Sequence, residues 1–271
     1  MSTMSDDDLC LLFETIAEHV ELDSVMLVGA RCRDIHQMKY RESSPSRTTK
    51  DVDLALAVGG WEPLTNLRQH FPATSTAWQK LEVKGLPVDV VPFGELEKPP
   101  GEIASADGHV LNVAGFQEAF DAREFHRLSN GLLIAIPSVA GLAALKLHAW
   151  LDRHPRGKFK DANDIALILA WHEEADSYLW DCFDEIADQG CIGETDRTAA
   201  AILGRQVRLV LGQAAAKELS ERFDEETADD LDLFAEKLVA DGEQMHPFQR
   251  RRLQVSNLIA ELVDYDDVYE Y

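Results

Sequence analysis

Two carboxylates stand one residue apart in Lys50-Asp51-Val52-Asp53. In an extended chain alternate side chains share a face, so Asp51 and Asp53 project together. Two like charges at that spacing repel each other unless a cation sits between them. Mg²⁺ is the cation that fits best, because it takes oxygen ligands and binds substrate phosphates as well. The competing reading is a strand with one solvent-exposed face. A third carboxylate, Asp89, lies in the middle of the apolar run Pro87-Val-Asp-Val-Val-Pro-Phe-Gly94. A lone Asp in such a run is costly to bury without a partner. If this run lies beside the Asp51/Asp53 strand, Asp89 becomes a third metal or base carboxylate. Otherwise a backbone donor, a Lys or an Arg must satisfy it.

Two further groups suit an anionic ligand. Val28-Gly29-Ala30-Arg31-Cys32-Arg33-Asp34 reads as a strand, a glycine turn and a helix start. Such a turn gathers backbone N–H groups and a helix dipole at one point, which is a phosphate site. It opens a basic island, with Arg31, Arg33, Lys39, Arg41, Arg47 and Lys50 set against Asp34 and Glu42. Downstream, Lys146, Trp150 and Arg153 fall at i, i+4 and i+7, one face of a helix. Ala143, Leu147 and Leu151 make a separate apolar stripe for docking, so Lys146 and Arg153 are free to point into a cleft. The alternatives are a snorkelling Lys146 and an Arg153 salt-bridged to Asp161 or Asp164, with Asp164 capping or bracing its helix. Arg156, Lys158 and Lys160 extend this second basic cluster.

The elements that must hold these groups follow from periodicity and turn chemistry. Residues 5–22 read as an amphipathic helix with Ser5 as N-cap and Asp6, Asp7 and Asp8 in its first turn. Strands are expected over 24–29, 51–58, 75–84 and 86–92, the last two joined by a Lys84-Gly85 turn. A helix is expected to begin in 30–39 and another to span 61–70. Residues 41–49 and 95–108 read as loops, and short strands are expected near 109–113, 122–128 and 131–136. From Pro137 onward the pattern is helical throughout: 138–152, 159–173, 176–189, 194–221, 225–241 and 246–264. The sequence therefore reads as α+β over 1–136, followed by an all-helical domain over 137–271.

The chain of 271 residues is long enough to bury a core without staples. Its net charge of −23 disfavours a basic-patch nucleic-acid binder and an anionic-membrane anchor. That charge divides into −7 over residues 1–165 and −16 over 166–271. Four cysteines without a CxxC pair suggest a reduced cytoplasm. No apolar run approaches the ~20 residues of a membrane span, and the N-terminus does not read as a secretory signal. His148, His154 and His172 form no ligand motif and read as core or surface residues. Arg250-Arg251-Arg252 reads as a solvated face or one salt-bridged to the acidic tail.

Taken together, Gly29-Ala30, Asp51-x-Asp53 and Asp89 resemble the nucleotidyltransferase (DNA polymerase β-like) superfamily. Gly29-Ala-x-x-Arg33-Asp34 is also similar to the turn of the tRNA CCA-adding enzymes. Lys146-x6-Arg153, followed by Lys160-Asp161-x-x-Asp164-Ile165, is similar to the AbiEii/MenT-type toxin nucleotidyltransferases, over roughly residues 25–170. The resemblance implies a nucleotidyltransferase-type mixed sheet with flanking helices, and a helical domain that completes the nucleotide cleft. It implies Mg²⁺ on Asp51, Asp53 and Asp89, with Asp89, Asp161 or Asp164 as base. It places the nucleotide against Gly29, Ala30, Arg33, Lys50, Lys146, Arg153 and Asp164. The activity implied is NMP transfer from an NTP to a hydroxyl, with a tRNA 3′ end as acceptor and an antitoxin protein as partner. A small-molecule acceptor of the antibiotic type and a non-catalytic binding module on the same scaffold are the alternatives. The chain departs from many members at Ala30, where a Ser hydroxyl would contact phosphate.

Overall fold

The computed structural model describes residues 5–41, 51–73, 77–104, 108, 110–174, 195–239 and 247–263. The chain separates into two compact units, Met1–Ser138 and Val139–Tyr271. Elements are numbered among the described residues.

The first unit is built on a six-stranded mixed sheet in the order β3-β4-β2-β1-β8-β7. Its strands are β1 (Val25–Val28), β2 (Val52–Val58), β3 (Lys80–Val83), β4 (Leu86–Gly94), β7 (Glu124–Arg127) and β8 (Leu133–Ile136). β2 runs antiparallel to β1 and parallel to β4, while β3 and β4 form a hairpin. All four β1 residues are buried, as suits a strand with neighbours on both sides. On β2, Val52, Leu54, Leu56 and Val58 are buried on one face; on the other Ala55 is buried as well, and Asp53 and Ala57 at either side of it are half-buried.

Helix α1 (Asp6–Ala17) opens with a capping box: Ser5 Oγ accepts from the Asp8 N–H, and the Asp8 side chain accepts from the Ser5 N–H. Leu9, Leu12, Phe13 and Ile16 bury its apolar face. Helix α2 (Gly29–Arg41) follows β1 directly, and α3 (Glu62–His70) follows β2 after Gly59-Gly60. Two elements depart from the sequence reading. Within the stretch expected to be loop, β5 (Glu102–Ala104) forms, and it pairs with β6 (Val110–Asn112), the strand expected near 109–113, as a separate two-stranded sheet. A one-and-a-half-turn helix, α4 (Phe116–Asp121), also forms before β7, starting after Gly115 at φ +80°. The first strand of the hairpin is shorter than expected and begins at Lys80.

The second unit is helical: α5 (Val139–Arg153), α6 (Lys160–Glu174), α7 (Thr195–Asp224), α8 (Ala228–Lys237) and α9 (Phe248–Ala260). The helix expected over 176–189 lies outside the described residues. Gly212, at φ +69° and ψ 170°, breaks α7 into two helical stretches. Helix α5 is buried from Val139 through His148 and again at Trp150 and Leu151, far more than one apolar stripe requires. The Arg250-Arg251-Arg252 run pairs along its whole length. Arg250 forks onto Asp196, Arg252 meets Asp232, and buried Arg251 donates to Gln254. Arg251 also lies 4.0 Å from Glu173, so these partners lie on helices α6, α7, α8 and α9, whereas the sequence reading offered the acidic tail, which is outside the described residues. Among the described residues no helix is long and apolar enough to cross a membrane.

Candidate active site

The parallel pairing of β2 and β4 sets Asp53 opposite Asp89. The two carboxylates therefore stand on adjacent strands of one sheet, both half-buried. Asp51 immediately precedes β2, two residues before Asp53. The antiparallel pairing of β1 and β2 sets Val28 opposite Asp53, and this brings the following residue, Gly29, against the Asp53 side chain. Gly29 has φ +69°, and a Cβ built there would overlap the Asp53 carboxylate and approach Asp53 Cβ to 2.9 Å. The turn thus needs glycine twice over, for backbone conformation and for space. The start of helix α2 lies directly after this contact.

Lys80, absent from the residues singled out in the sequence, joins the group. The hairpin register pairs Lys80 with Asp89, and Lys80 Nζ donates to both Asp89 oxygens at 2.9 and 2.6 Å. The hydrogen bond to Asp89 is the main reason that the Lys80 pKa rises above its ordinary value. Partial burial opposes the rise, and the charges of Asp89, Asp51 and Asp53 add to it. The charges of all three carboxylates thus act on one ammonium, and a group of hard carboxylate oxygens is the donor chemistry that fits Mg²⁺.

The signal that could have found Lys80 is arithmetic. A two-residue turn at Lys84-Gly85 fixes the hairpin register, and counting outward from it places residue 80 across from residue 89.

The basic island is partly neutralised where it is described. Arg33 is buried and donates from Nε (3.0 Å) and Nη2 (2.5 Å) to Oδ1 of Asp34, while Arg31 reaches Asp34 Oδ2 at 3.4 Å. Lys39 pairs with Glu124 at 3.1 Å. Ala30 sits in the first turn of α2. Lys50 lies outside the described residues.

In the helical unit, Lys146, Arg153, Asp161 and Asp164 form one charge-balanced network. Lys146 Nζ lies 3.2 Å from Asp161 and 2.5 Å from Asp164, and Arg153 Nη1 lies 3.0 Å from Asp161 Oδ2. Asp161 is fully buried in the first turn of α6, where the helix dipole favours its charge. Burial disfavours the Lys146 charge, but Asp164 and Asp161 outweigh it and hold its pKa above the ordinary value. Lys146 therefore neither snorkels nor stands open on a helix face; it is enclosed with its two partners. The Arg153–Asp161 salt bridge, one alternative for Arg153, is present, and the Arg153 side chain keeps 42% exposure.

No curated protein matches the chain. The family model described as nucleotidyl transferase AbiEii toxin, type IV TA system, matches residues 11–252, a span containing the sheet carboxylates, the glycine turn and the Lys146 network. The chain belongs to the AbiEii nucleotidyltransferase toxin family.

Proposed function

We propose that the chain transfers an NMP from an NTP to a hydroxyl acceptor, using Asp51, Asp53 and Asp89 to hold Mg²⁺. The observation that carries this reading is the register of Asp53 against Asp89 beside the Gly29 turn. When bound, Mg²⁺ would neutralise charge on the attacking and leaving oxygens of an in-line displacement. The acceptor hydroxyl oxygen bonds to the α-phosphorus, the bond from that phosphorus to the β-phosphate oxygen breaks, and pyrophosphate leaves. The hydroxyl proton passes to a carboxylate. The start of helix α2 at Gly29 and Ala30 offers N–H groups to a phosphate. Arg33, held by Asp34, serves to fix that turn. Within the helical unit, Lys146 and Arg153 hold Asp161 and Asp164 in place, and the half-exposed Arg153 guanidinium is the cation of that group open to an anionic substrate.

For the acceptor we propose the 3′ end of tRNA, with an antitoxin protein as the partner that relieves the resulting toxicity. The test is incubation of the purified chain with Mg²⁺, each α-labelled NTP and total tRNA. Label should appear on tRNA, and Asp53→Asn should lower transfer about a thousandfold, as loss of several kcal/mol of charge stabilisation requires. Absence of label on any RNA, together with unimpaired growth on expression, overturns the tRNA reading. The charge of −16 over residues 166–271 favours a second acceptor class, a cationic small molecule of the aminoglycoside type. The same assay with such an acceptor separates the two.

A further inference from the structure

A second group of ligand atoms lies wholly within the helical unit and owes nothing to the sheet carboxylates. His154 follows the end of α5 in a single 3₁₀ turn, His154–Arg156. Glu226 lies in the turn between α7 and α8, and Asp230 in the first turn of α8. One ligand atom from each of the three falls within 4.8 Å of the others. His154 Nε2 and Glu226 Oε2 approach to 2.8 Å, yet not in hydrogen-bonding geometry, and neither buried atom has a hydrogen-bond partner. Buried polar atoms left unsatisfied are costly to the fold. The His154 side chain is only 4% exposed, so water does not answer for it freely.

We propose that His154, Glu226 and Asp230 bind a divalent transition cation, of which Zn²⁺ is the best representative. An imidazole nitrogen with two carboxylate oxygens is a mixed N/O set, which suits Zn²⁺ better than Mg²⁺. The cation takes the lone pairs of both orphaned atoms and cancels the repulsion between Glu226 and Asp230. Asp230 Oδ2 already accepts from the Thr227 N–H and hydroxyl in a capping box, which fixes the carboxylate while its remaining lone pairs stay available. Trp150 stacks on the His154 ring at 4.9 Å and 14°, which holds the imidazole in one orientation. Water completes the coordination sphere. The bound ion clasps the α7–α8 turn to the end of α5, so its role is structural.

The test uses the full chain with Asp51, Asp53 and Asp89 all changed to Asn, to silence the sheet carboxylates. Stripped of metal, this protein should bind one equivalent of Zn²⁺ by calorimetry and melt at a higher temperature when loaded. Co²⁺ in place of Zn²⁺ should give visible d–d absorption characteristic of nitrogen ligation. His154→Gln should abolish that absorption and weaken Zn²⁺ binding by at least about tenfold. Glu226→Gln, in a turn, preserves the fold if His154→Gln does not, and should weaken binding likewise. Failure to bind Zn²⁺, or binding unchanged in Glu226→Gln, overturns the site.

Discussion

At Gly29 a missing side chain decides the geometry. The space that a Cβ needs is taken by the Asp53 carboxylate, and φ is +69°. Gly29→Ala must therefore shift the turn, Asp53 or both. The expected result is a loss of about 1–3 kcal/mol of stability, measured by denaturant melts, and a collapse of nucleotidyl transfer. Activity at the wild-type level would mean that the Asp53 position is not critical. Lys80 sets up a different test. Its ammonium offsets part of the repulsion among Asp51, Asp53 and Asp89. Lys80→Ala should lower the melting temperature without metal, and Mg²⁺ should then raise it more than it does in the wild type, because the more negative site binds a cation more tightly. An identical Mg²⁺ response in both proteins would detach Lys80 from the proposed metal site.

Elements long enough to repeat their pattern were legible in the sequence. The strand expected over 51–58 forms at Val52–Val58, and the helix expected over 61–70 forms at Glu62–His70. Two short elements were not: β5 has three residues and α4 six, too few to show a period. The pairing of strands was legible only where a turn fixed it. Lys84-Gly85 determines Lys80 opposite Asp89, but the parallel match of Asp53 with Asp89 joins strands separated by a helix and a hairpin arm, and no local signal sets that register. Burial of Lys146 was hidden for a related reason. Helical spacing assigns a residue to a face, while the number of helices packed against that face is a tertiary property. The turn itself carries an element-scale prediction. Lys84 sits at φ +52° and Gly85 at φ +82°, both left-handed, as a type I′ turn requires. A β-carbon resists that region, and Asn tolerates it best. Lys84→Asn should therefore stabilise the chain by about 0.5–1 kcal/mol in thermal melts, with the hairpin and the activity unchanged. A destabilised variant would show that the lysine makes a contact outweighing its backbone strain.

For the whole molecule, acidification sets two effects against each other. The chain carries −23 at neutral pH, and lowering the pH toward its isoelectric point near 4.6 discharges carboxylates and relieves self-repulsion. A buried histidine opposes that gain. His148 Nδ1 accepts from Arg222 Nη1 at 2.9 Å, so the ring is held neutral with its proton on Nε2. Burial, reinforced by the Arg222 charge, pushes its pKa down to about 3 from 6.5. Above pH 6.5 the ring is neutral folded and unfolded, and it contributes no pH dependence. Below 6.5 the unfolded chain takes up a proton that the folded chain refuses, so stability falls as pH drops, by up to about 1.4 kcal/mol per unit, until the folded pKa is reached. Salt distinguishes the two effects, since it screens the repulsion between surface charges but reaches a buried imidazole poorly. Denaturant melts at pH 7 and pH 5 in high salt should show the wild type losing about 2 kcal/mol more than His148→Gln, which cannot protonate. Equal losses in the two proteins would mean that His148 ionises freely in the folded helical unit, and that its enclosure opens at modest cost.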